Sequence, residues 1–273
     1  MTVGPGQMES TLTDAVTAVG NEGTIVVYEG FYNETLVVGA NANVAFLRNA
    51  DDLVDWSGSG ASQLRVTDGA VVLIDGIELR GNGSLADAAA RVDTASLWVD
   101  RGVFAQNDGG SLSAEVNAYL VLRNSFLGGA NNRNSLNVET GAMVIAQYIT
   151  VGGGALTATA VTCDVVSSVT VSDSILVSQG ATDIDCVNFT ADHIATNTMQ
   201  AGDDNQELGM TNSAWFISYN GADFHLTDMG QATIMEIAQW NEGDPLDDPS
   251  VDIDGMPRAG VEGAMEYPGA DLP

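Results

Sequence analysis

Few side chains in this chain of 273 residues could move a proton or grip an ion, and cations are the scarcest: eight arginines and no lysine stand against 37 Asp and Glu. Arg101 and Arg123 lie in apolar-patterned segments, near Asp75 and Asp100. An arginine base beside carboxylates that bind calcium and an acidic sugar would support β-elimination, and Arg101, Arg123 and Asp100 are the residues such chemistry would use. The favoured role for the same residues is charge pairing between successive chain turns. Trp98 sits between Leu97 and Val99, so it faces the opposite side and, with Arg101, could stack on a sugar. Asp252-x-Asp254-Gly255 matches part of a calcium loop, but a twelve-residue loop from Ser250 would put Val261 where a bidentate Glu is needed. A surface calcium held by Asp247, Asp248, Asp252 or Asp254 stays open beside the plainer reading of a solvated acidic turn; no cofactor is required. His193 and His225 have no plausible nucleophile partner. Cys163 and Cys186 could form a disulfide or fill a core column as free thiols, and they are too few for a metal cluster.

The elements that must position these residues show in a repeated pattern. Segments starting at Val71, Leu97, Leu120, Met143 and Val169 share apolar residues at template positions one, three and seven and a polar residue at position five. Two short strands meeting at a corner produce this spacing. The starts lie 23 to 26 residues apart, a solenoid period, so the chain reads as an all-β, single-stranded parallel β-helix. On this template Val71, Leu97, Leu120, Met143 and Val169 share one inward column, while Asp75, Arg101, Asn124, Gln147 and Asp173 share a corner ladder. Leu12, Ala15, Val16 and Val19 follow a Ser/Thr cap at helical spacing, predicting a short helix that closes the first coil. The expected organisation is a single domain over 1–273: a cap over 1–22, coils over 23–200, and irregular coils with a Gly-, Pro- and Asp-rich tail over 201–273.

The formal charge of −29 excludes some partners. Between Asn134 and Pro257 there are 18 acidic residues and no Arg or Lys. Nucleic acid and anionic membranes, which are bound through basic side chains, are therefore not expected partners. Such acidity suits either a salty habitat or simple solubility outside the cell. No apolar run is long enough for a membrane-spanning helix.

The run from Gly23 to Leu36, GTIVVYEGFYNETL, resembles the opening rung of right-handed parallel β-helix proteins of the pectin-lyase-like superfamily. Asp223-Phe224-His225-Leu226, Asp252 to Arg258 and Gly269-Ala270-Asp271 resemble the carboxy-terminal signature of secreted bacterial members. The resemblance implies a right-handed coil over most of the chain and an extracellular or cell-surface location, with any signal peptide absent from this sequence. It does not imply one activity, since the superfamily holds lyases, hydrolases, epimerases and proteins without known catalysis. Asp51-Asp52 and Asp203-Asp204 match one polygalacturonase-type element, but Gly-His-Gly and Arg-Ile-Lys are missing, as is the pectate-lyase-type Arg-x-Pro-x-x-Arg. The resulting expectation is a non-catalytic surface, adhesion or matrix-interaction module whose partner is an extracellular glycan or cell-surface protein. The alternatives are a glycan-binding module and a carbohydrate-active enzyme, most plausibly a polysaccharide lyase or a glycoside hydrolase.

Overall fold

The computed structural model describes residues 1–50, 52–58, 61–129, 132–154, 158–180, 182–242 and 248–273. Successive coils each contribute short strands to three parallel sheets: among the described residues sheet A, from Thr2–Val3 to Phe189–Asp192, and sheet B, from Gly30–Asn33 to Gln206–Glu207, have nine strands, and sheet C, from Leu36–Val38 to Ile184–Asp185, has seven. The architecture is a right-handed parallel β-helix with a short amino-terminal helix and an irregular carboxy-terminal region. Helix α1 (Leu12–Val19) is capped by Thr11, whose side chain accepts from the Asp14 N–H, and it buries Leu12 and Ala15.

Strand alternation sends every second residue into the interior, and parallel in-register pairing stacks those residues in columns. Along sheet A one column runs Ile25, Phe46, Ile74, Val99, Leu122, Ala146, Val171 and Ala191. All are at most 2% exposed. Sheet C adds Leu36, Leu64, Ala90, Leu112, Leu136 and Val161. Burying each of the larger aliphatic side chains contributes about 1.5–3 kcal/mol. Cys163 and Cys186 are joined by a disulfide, with Cα atoms 4.7 Å apart.

The repeat exists, but its register differs from the sequence template by one residue in two rungs. Leu97 pairs with Val72, not Val71, and Leu120 with Val144, not Met143. Val71 and Met143 point outward, 38% and 48% exposed. The corner decides this. It requires a left-handed backbone residue, and Gly76, Arg101, Asn124, Tyr148 and Asp173 occupy it with φ between 43° and 73°. Asp75 and Gln147 are the last residues of their strands, level with Asp100 and Arg123. A one-residue slip exchanges the two faces of a strand, and in both rungs apolar residues on each face hide the difference from a periodicity count.

Outer positions of sheet B change character along the stack. The register passes from Phe31, Asp55 and Glu78 to Val103, Phe126, Thr150, Ile175 and Ala195. The chain beyond Leu208 folds back over the apolar part, where Trp215, Phe216, Tyr219, Phe224, Leu226 and Ile253 form a second core with Phe126, Ile175 and Val177. Gly152 permits this close approach, because a Cβ there would come within 2.5 Å of the Phe224 ring.

A single buried cation fastens the last segment. The Arg258 side chain is fully buried in its ion pair with Glu266, and its guanidinium lies 3.9 Å from the centre of the Tyr148 ring. It donates to Asn124 Oδ1 and to the carbonyls of Gly269 and Ala270. Asn124 also donates to Asp100 one coil earlier. Thus Asn124 serves the expected inter-coil ladder, while Asp173 accepts from the Gln239 N–H and Gln147 donates to Asp248, both outside the coil stack.

Candidate functional site

Three surfaces collect the chemically capable residues. The first is a cleft of about 260 Å³ where the carboxy-terminal cover ends and sheet B turns polar, lined by Arg48, Glu78, Arg80, Arg101, His225 and Asp254 among others. Three of the eight arginines meet there. Glu78 is ion-paired with Arg80. Burial raises the Glu78 and Asp55 carboxyls above the usual carboxylate range, with Arg80 offsetting part of the effect at both.

His225, on the strand Asp223–Leu226, forms the far wall. Its Nδ1 contacts Asp223, and its Nε2 lies 3.0 Å from Asp254 Oδ2. Burial alone would lower the imidazole pKa, but the Asp223 hydrogen bond and the charges of Asp271 and Asp254 outweigh it and raise it. Ligand atoms of His225, Asp254 and Asp271 lie within 4.8 Å of one another, so this group could hold a divalent ion. Asp252 has a different position: it is fully buried, accepts from the backbone N–H groups of Asp254 and Met256 on Oδ1, and from that of Leu272 on Oδ2. It shapes the turn that presents Asp254. Asp248 is also buried, between Gln147 and the Asn241 N–H. Asp247 and Asp51 lie outside the described residues.

The arginines named from sequence are held by carboxylates. Arg101 makes a bidentate pair with Asp75, at 2.8 and 2.7 Å, and Arg123 pairs with Asp100 at 2.9 Å. An arginine fixed in a bidentate pair has its donors committed, which suits structural pairing better than proton abstraction. Arg101 lines the cleft, whereas Arg123 and Asp100 are not among its lining residues.

The second surface is the outer face of sheet A. Trp98 points outward, half-buried, and meets Tyr119 edge-on with ring centres 6.1 Å apart. The register sets Leu73 and Val121 on either side of Trp98, and Met143 beside Tyr119. Leu73, Val71 and Met143 are all more than one-third exposed, while the paired charges Asp75–Arg101 and Asp100–Arg123 border the patch. By contrast Trp215, Phe216 and Tyr219, also sugar-stacking candidates by type, are buried in the second core.

Sequence reasoning overlooked a further group on the outer face of sheet C. Arg91, Ser113, Glu115, Asn137 and Glu139 line a cavity of about 350 Å³. Glu115 and Glu139 follow strands paired in register, and Arg91 bonds Glu115 and Asp87. Burial raises the Glu139 carboxyl, and the neighbouring Glu115 charge adds to the shift. The sequence signal was present as a Glu after each inward Ala114 or Val138, but an acidic residue after a strand more often marks a solvated turn. Likewise His225, Asp254 and Asp271 are far apart in sequence, and only the fold-back of the tail joins them.

No protein-family model matches this chain, and no curated protein matches it. Among solved structures, the chain is similar to the pectin methylesterase from Aspergillus niger, at 15% identity over 78% of this chain and 69% of that one, with a TM-score of 0.39.

Proposed function

We propose that this protein is a non-catalytic extracellular module that attaches to matrix or cell-surface glycan through the outer face of sheet A. The supporting observation is a patch on a parallel sheet in which Val71, Leu73 and Met143, each more than one-third exposed, surround the half-buried Trp98 and Tyr119, bordered by charges that are already paired. Aromatic and aliphatic side chains on an even surface suit the apolar faces of pyranose rings, and contiguous exposed apolar surface commonly marks an interaction site. Acidic groups elsewhere disfavour phosphate-rich partners and keep the module soluble. The disulfide supports an oxidising location. The resemblance of the opening rung to the pectin-lyase-like superfamily supports a carbohydrate partner.

Co-sedimentation with insoluble polysaccharides and affinity electrophoresis on soluble ones test this reading. Trp98→Ala should weaken binding by about tenfold or more while leaving the melting temperature nearly unchanged, in line with about 1–3 kcal/mol for a stacking aromatic. Equal retention of the variant and the parent would refute the assignment to this face.

A second reading is favoured by the Glu115 and Glu139 pair. Neighbouring rungs are separated by ~4.8 Å, near the ~5–5.5 Å carboxyl separation of retaining glycoside hydrolases. A raised Glu139 would serve as the acid and an arginine-held Glu115 as the nucleophile. Release of reducing ends from any polysaccharide, abolished by Glu139→Gln, would replace the non-catalytic reading with this one.

A further inference from the structure

The cluster at the end wall of the cleft stands apart from the glycan-binding face, and its donor set is selective. We propose that His225, Asp254 and Asp271 form a site for a borderline divalent cation, zinc foremost, with Asp223 orienting the histidine.

The side chains divide into distinct roles. Asp271 is 7% exposed, yet the Leu226 N–H, donating to Oδ2, is the one hydrogen-bond donor it meets among the described residues. A buried carboxylate with spare acceptor capacity gains from a cation placed beside it. Three carboxylates surround a single imidazole: Asp223 at Nδ1, Asp254 at Nε2 and Asp271 within 4.8 Å of the other ligand atoms. Even with the imidazole protonated, the group is short of positive charge.

Zinc sites pair a histidine with carboxylates, and a ligating histidine almost always gives its other N–H to a carboxylate or carbonyl. Asp223 supplies that acceptor. Nε2 would bind the ion while Nδ1–H keeps its hydrogen bond to Asp223. Three protein ligands leave the fourth position free for water, and the cleft that His225 and Asp254 line is its route of entry. Asp254, whose side chain is 58% exposed, is the ligand with room to turn toward an ion. Calcium is disfavoured, because it needs six to eight oxygen ligands and an imidazole is a poor substitute. The acidic turn therefore contributes Asp254 to a nitrogen-containing site, a different arrangement from an all-oxygen calcium loop.

The test is competition titration of the full chain, stripped with chelator, against Zn²⁺, Mn²⁺ and Ca²⁺. The expected result is one tight Zn²⁺ per chain and no displacement by millimolar Ca²⁺. Asp254→Asn, on an exposed side chain, should weaken Zn²⁺ more than tenfold, and Asp223→Asn by about 10–100-fold, both with unchanged far-ultraviolet dichroism. His225→Ala should abolish the site; if that variant fails to fold, the two Asn variants decide. The proposal is overturned if zinc binds only as weak multiple equivalents on the acidic surface, if Asp254→Asn binds as the parent does, or if Ca²⁺ displaces Zn²⁺.

Discussion

The coil stack and the carboxy-terminal cover are held together by opposite means. In the stack, stability is distributed: each inward residue touches its counterparts on adjacent rungs, and no single side chain is irreplaceable. The cover combines an aromatic cluster on sheet B with a few unique polar anchors, chief among them Arg258, with Asp173 and Asp248. A repeated structure tolerates local damage, while a singular one depends on particular atoms. The cleft that holds His225 and Asp254 lies where this singular part borders the repeat, because there side chains distant in sequence converge.

The sharpest way to break the contrast is Arg258→Ala. Removing one partner of a buried pair costs about 3–5 kcal/mol, and here the loss should fall on the cover alone. Limited proteolysis should release fragments from 248–273 while the β-sheet dichroism of the coils persists. A single cooperative loss of both regions would erase the distinction. Within the stack, Leu120→Ala should cost about 2–5 kcal/mol, whereas Met143→Ala should stay within about 0.5 kcal/mol. Chemical denaturation of the pair also checks the register, since equal losses would place Met143 in the interior.

Acidity probes the polar anchors. Burial raises Asp173 to about 7 and Asp248 to about 6, against ordinary values near 3.8. A raised folded-state pKa means the folded chain holds the proton more tightly than the unfolded chain. Stability should therefore rise as pH falls from about 8 through 7 and 6, levelling off near the unfolded pKa of about 4. The gain is on the order of a few kcal/mol, and Asp173→Asn should remove much of the slope in melting curves between pH 5 and 8. A small effect is also expected at the ladder pair Arg101–Asp75, which is partly exposed: Arg101→Ala should cost less than about 1 kcal/mol. A larger loss in melting temperature would give the ladder a role comparable to the core.

Much of the coil was legible because its cause is local. Strand alternation, the corner after each strand and the Thr11 cap act over a few residues, so the helix over 12–19 and the repeat could be read directly. The register was harder. In Val71-Val72-Leu73-Ile74 both faces are apolar, so periodicity cannot say which face turns inward, and the left-handed residue at Gly76 or Tyr148 settles it. The candidate site was legible only in pieces: Trp98 was assigned outward, Arg101 and Arg123 were assigned carboxylate partners, and Asp254 was singled out. Its convergence with His225 and Asp271 was not, because nothing near Asp223–Leu226 encodes where Asp254 will lie.

The linear chain by itself determined a stacked parallel coil, an acidic skin and the placement of its few cations beside carboxylates, because these follow from residue spacing and composition. Only the tertiary structure decided that the two cysteines join, that sheet B is the surface the tail covers, and that His225, Asp254 and Asp271 share one corner. The physical reason is range: rung periodicity is written within one coil of sequence, whereas docking of the cover depends on a buried cation and an aromatic cluster meeting partners several coils of sequence away.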